Sequence, residues 1–105
     1  MEFGVQVNVY ETDWDSISKS IMTMEAGRWG SVWFADHFLP PHVSSTKTDQ
    51  MEAEAETAFE GFTLISVVAG MTQKLKLGHL VLGNSYRNPA LVAKMATTLD
   101  QASKG

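Results

Sequence analysis

Three times in succession the apolar period of this chain switches from two residues to about 3.6, and that order constrains the fold more than any other feature. Phe3 to Val9 alternates Val5, Val7 and Val9 with Gln6 and Asn8, the pattern of a strand with two unlike faces. Asp13 or Asp15 can cap the helix that follows, in which Ile17, Ile21 and Met24 share one face and Gly27 is the stop. Ser31 to Ala35 is rich in β-branched and aromatic residues and predicts a second strand, since Pro40-Pro41 forbids ladder bonding further on. A second helix is expected from about Glu54 to Met71, with Leu64, Val67, Val68 and Met71 on one face, and a third strand from Lys76 to Leu82. Asn88-Pro89 offers an N-cap and a proline at the first helical position for a last helix, whose apolar face is Leu91, Val92, Met95, Ala96 and Leu99. Strand and helix alternate throughout and no Asn-Gly hairpin signal intervenes, which implies an α/β fold of parallel strands with right-handed crossovers.

The chain has 105 residues, 44% hydrophobic and 19% charged, the profile of one soluble globular domain over residues 1–105. A net charge of -4 and the scatter of its basic residues argue against nucleic acid or an anionic membrane as partner. With no cysteine, neither a disulfide framework nor a thiolate zinc site can form, and a reducing compartment is compatible. MEFGVQVNVY lacks the basic start and apolar core of a signal peptide, and no apolar run approaches the roughly 20 residues needed to span a bilayer. A cytoplasmic location is the default expectation.

Asp36 and His37 fall at the carboxyl end of the second strand, where parallel α/β folds gather their ligands. By spacing alone, a solvated loop acid beside an incidental histidine is the better explanation of the pair. From Asp36 to Met51 the sequence reads as a long loop, and loops above roughly 12 to 15 residues are uncommon unless they bind something or are disordered. His42 reads as loop surface. With His37 it makes an i, i+5 pair lacking a third ligand, so no metal site is expected. His79 suits a core histidine or a catalytic group. Gly83-Asn84-Ser85 can offer backbone and amide hydrogen bonds to a cofactor, or simply turn the chain. Tyr86 and Arg87 can contact a phosphate or substrate, or cover the rim. The acidic run Glu52, Glu54, Glu56 reads as a solvated helix start favoured by the helix dipole, and Trp14, Trp29 and Trp33 as packing residues.

Three stretches together carry a family resemblance: FGVQV at the start, SVWFADHFLPP after the first helix, and LKLGHLVLGNSYRNPALVAKMATTLDQASKG at the end. They resemble the N-terminal part of the luciferase-like monooxygenases, (βα)8 barrel oxidoreductases that use reduced flavin or the deazaflavin coenzyme F-420. The GNSYRNPALVAKMATTLD wording resembles the F-420 branch more than the bacterial luciferases. The resemblance implies an oxidoreductase with FMN or F-420 as cofactor and a small organic molecule as substrate. It implies further that Asp36 and His37 face the cofactor ring, with His37 near the substrate. In related F-420 enzymes the matching histidine acts as a general base on a substrate hydroxyl, which suits a group with an ordinary pKa of about 6.5. Asp36 would orient that histidine or contact the ring. The family's third strand often carries a non-prolyl cis peptide in a bulge against the ring; the matching bond here is Leu80-Val81, and His79 stands where a small residue is usual.

A complete barrel of this kind needs about 250 residues, so the chain is expected to form three βα units of an incomplete TIM-type barrel. It would be part of a longer enzyme, or a short form that completes its sheet with other copies. Three parallel strands leave two open edges, so a homo-oligomer is expected. The competing function is a non-catalytic, self-associating or small-molecule-binding half-barrel module. A flavodoxin-like domain would explain the strand and helix order but not the DHF and GNSYRNPA stretches.

Overall fold

The computed structural model describes residues 1–38 and 58–105. Its elements are β1 (Gly4–Val7), α1 (Trp14–Ala26), β2 (Ser31–Phe34), α2 (Gly61–Ala69), β3 (Lys76–His79) and α3 (Pro89–Ser103). The strands form one parallel sheet in the order β1-β2-β3, with Val5 opposite Val32 and Phe34 opposite His79. This is the expected open run of βα units, consistent with part of a βα barrel.

Asp13 caps α1 by accepting a hydrogen bond from the Ser16 N–H at 2.7 Å, so of the two candidate caps the first is used and Asp15 lies in the first turn. Asn88 caps α3 through the Ala90 N–H, with Pro89 at the first helical position, as its sequence predicts. Helix α2 departs from expectation. It starts at Gly61: Ala58 makes an antiparallel bridge with Tyr10, and the Glu60 side chain caps the helix through the Phe62 and Thr63 N–H groups. The earlier start near Glu54 lies outside the described residues, as do the acidic run, His42 and most of the expected loop. With the helix starting at Gly61, the buried face is Gly61, Phe62, Leu64, Ile65 and Val68, while Val67 is exposed and Met71 falls beyond the helix. The strands are shorter than their apolar patterns at both β1 and β3, because pairing ends where β2 ends.

The core lies between the sheet and the helices, centred on Val9, Ile17, Ile21, Val32, Phe34 and Val68. On β2, Val32 and Phe34 enter it, and Ser31 and Trp33 occupy the opposite sheet face. Trp33 packs across that face between two glycines. A Cβ on Gly78 would stand 2.5 Å from the indole Cζ3, and one on Gly4 2.8 Å from its Nε1, so only glycine lets the ring lie this close. Glu25 of α1 accepts hydrogen bonds from the Gln73, Lys74 and Leu75 N–H groups, which fixes the turn entering β3. Helix α3 has no fully buried residue; Val92, Met95 and Leu99 cover the core only in part. A groove of about 580 Å³ runs between β3 and α3, lined among others by Leu77, His79, Val92 and Leu99.

Candidate functional site

The residues singled out in the sequence gather at the carboxyl ends of β2 and β3, but they do not all face the same way. Asp36 continues the buried series of Val32 and Phe34, at 2% exposure. Arg87, from the loop after β3, grips its carboxylate with Nη1 on Oδ2 and Nη2 on Oδ1, both at 2.7 Å. The Gly83 N–H donates a third hydrogen bond to Oδ2 at 2.9 Å. Arg87 Nη2 also donates to Glu60, the cap of α2. Burial pushes the Asp36 carboxyl up, but the Arg87 and Gly83 hydrogen bonds and the charges of Arg87 and His79 outweigh it, holding it below the usual aspartate range. Arg87 is correspondingly held above its ordinary value, chiefly by the hydrogen bond to Asp36.

This close packing has a steric condition. A Cβ on Gly61 would stand 2.7 Å from Asp36 Oδ1 and 3.0 Å from the Ala35 carbonyl oxygen, so glycine is what brings the start of α2 down onto the end of β2. Arg87 lies over the Phe62 ring, its Cζ 5.8 Å from the centroid.

His37 is exposed and has no hydrogen bond among the described residues; its ring meets Tyr10 edge-on with centroids 6.2 Å apart. Beside it, Phe38 stacks on Tyr86 at 4.1 Å. Tyr86 in turn lies flat on Gly83, where a Cβ would stand 2.5 Å from the ring. The Tyr10 hydroxyl is held above its ordinary value by burial, then by the neighbouring Tyr86 and Asp36.

The Leu80–Val81 peptide bond is cis, and both side chains are exposed. Asn84 is exposed in the loop that follows. His79, next to the cis bond, turns to the helix side of β3, with its ring 5.7 Å from that of Phe62. Both of its ring nitrogens are buried without a hydrogen-bond partner among the described residues. Burial holds its pKa below the ordinary histidine value, opposed in part by the Asp36 charge and the Phe34 carbonyl. His79 and Asp36 therefore stand behind the sheet end that presents His37, Leu80 and Val81.

Sequence reasoning left two members of the cluster without their roles. From the sequence Arg87 reads only as one of several rim residues, and Glu60 falls inside a helix expected to begin earlier. The signal for Glu60 is local: an acid directly before the apolar run that opens with Gly61-Phe62.

A family model of the luciferase-like monooxygenases matches residues 1–105. The chain belongs to this family. Among curated proteins none matches it. As a luciferase-like monooxygenase it is, at the level of the family, a flavin-type oxidoreductase. At the carboxyl end Leu80 and Val81 are exposed and apolar, a surface of the kind a flat cofactor ring can rest on, and His37 and Asn84 are exposed as well. The site fits the cofactor's phosphate less well, because Arg87 is already committed to two carboxylates.

Proposed function

We propose that this luciferase-like chain passes hydride equivalents between a reduced flavin or coenzyme F-420 and a small organic substrate, with His37 exchanging the substrate proton. The observation that carries the reading is the contrast at the end of β2. The Asp36 carboxylate is buried and accepts three hydrogen bonds, and the His37 imidazole is exposed and free of hydrogen bonds among the described residues. A general base must reach the proton it takes, and here His37 can do so. When bound, the cofactor supplies the electron-pair chemistry. Leu80 and Val81 would contact its ring, Asn84 would offer an amide to its polar edge, and His79 would pack behind Leu80 and Val81. F-420 is the preferred cofactor, on the wording of GNSYRNPALVAKMATTLD.

The test is steady-state kinetics with cofactor titration, using FMN and F-420 in both redox states. His37→Ala should lower turnover by about 10² to 10⁴-fold and change cofactor affinity much less. Near-full turnover in that variant would make the imidazole an ordinary loop residue. A cytoplasmic setting belongs to the same reading, supported by the cysteine-free sequence. Among the described residues no helix is long and apolar enough to cross a membrane.

A second reading keeps a specific observation in its favour. Among the described residues, strands β1 and β3 are the edges of the sheet, so copies of the chain can associate through them, and a non-catalytic half-barrel module would need only that. Turnover separates the two, since such a module predicts no substrate conversion with either cofactor in any assembly state.

A further inference from the structure

We propose that Arg87 is the positioning residue of this site, fixing through Asp36 the direction in which His37 leaves β2. The inference rests on the reading of His37 as the proton-exchanging group. The grip on Asp36 is two-pronged, with both N–H···O distances at 2.7 Å, and such a pair fixes the plane of the carboxylate as well as its position. The side chains are sealed, with 9% exposure for Arg87 and 0% for Asp36. Through Glu60 the same guanidinium holds the start of α2, and through Asp36 and the Gly83 N–H it holds the loop after β3. Three segments from distant parts of the chain thus converge on one planar cation.

His37 has little else to direct it. Its edge contact with Tyr10 is long, at 6.2 Å between centroids, and no hydrogen bond restrains its ring among the described residues. What is fixed is the residue before it: the Asp36 side chain is drawn toward the helices, so the adjacent imidazole projects into solvent. A guanidinium meant to receive a phosphate would keep its donors free. This one has both Nη groups engaged with carboxylates.

The experiment compares the full chain with Arg87→Ala and Arg87→Lys, without cofactor, by NMR of the His37 imidazole and the Gly83 amide, with far-UV circular dichroism as the check on folding. Both variants should shift the two sets of signals, because a lysine is a single-point donor and cannot hold the carboxylate plane. Millimolar methylguanidinium should restore the wild-type positions in Arg87→Ala and leave Arg87→Lys unchanged, which a general loss of stability would not produce. If Arg87→Ala does not fold, the Lys variant decides. A folded Arg87→Lys with His37 signals at their wild-type positions overturns the proposal. Because this readout needs neither cofactor nor substrate, full turnover in His37→Ala would end the catalytic reading and leave the clamp standing, whereas unmoved His37 signals would end the clamp alone.

Discussion

Between residues 36 and 37 the surroundings change from a buried ion pair to open solvent, and the pH response of the fold begins with that buried carboxylate. Asp36 is held below the ordinary aspartate pKa when folded, so the unfolded chain binds its proton first as pH falls. Its contribution is complete above about pH 4 and is lost as pH drops through the folded value. Asp36→Asn should lower stability at neutral pH by about 1.5 to 3 kcal/mol, since it leaves the Arg87 guanidinium with Glu60 as its remaining carboxylate, and should flatten the acid limb of a urea-midpoint profile. An unchanged acid limb would show that other carboxylates govern it. His79 works in the same sense at a higher pH. Burial lowers its folded pKa, so its stability contribution is complete above the ordinary histidine value of about 6.5 and declines as pH falls below it. Its ring nitrogens have no partners among the described residues, so His79→Leu should stabilise the fold by about 1 to 3 kcal/mol and remove that decline. Denaturant midpoints at pH 5 and pH 7.5 measure both effects.

Helix α2 shows how an element can be set by the strand end beneath it rather than by its own propensities. Gly61→Ala would ordinarily favour a helix by about 1 kcal/mol. Here the added Cβ meets Asp36 Oδ1 and the Ala35 carbonyl, and backbone cannot turn aside as a flexible side chain can. Overpacking should win, with a net loss of about 1 to 3 kcal/mol, read as a fall of about 4 to 8 °C in Tm per kcal/mol. A rise in Tm would mean that α2 can lift off β2 without cost. The same element explains the misplaced start in the sequence reading. An apolar pattern with a propitious acidic run before it predicts a longer helix, whereas the Tyr10 bridge to Ala58 and the Glu60 cap define its beginning in space.

At the scale of the molecule, the sheet has two edge strands among the described residues and α3 covers the core only in part, with a groove beside β3. Parallel sheets are normally buried on both faces, so this arrangement should seek further strands. The expected outcome is self-association at low micromolar concentration, measured by sedimentation velocity; a well-folded monomer there would count against it. The isolated chain should bind FMN or F-420 weakly, because Arg87 is engaged and offers no free cation to the phosphate. Sub-micromolar affinity in a fluorescence titration would show that the chain or its assembly supplies one.

The sequence by itself determined the order of strands and helices, the caps at Asp13 and Asn88, and the family, because periodicity, capping and motif wording are local along the chain. It also marked the Leu80-Val81 bond through the family's pattern. Only the tertiary structure decided that Asp36 faces Arg87, 51 residues away, and that His79 turns toward Phe62 instead of the side that presents His37. A contact across that separation leaves no period to read. It exists because parallel crossovers return each strand end to the same edge of the sheet, where helix starts and loops from different units must share the same small volume.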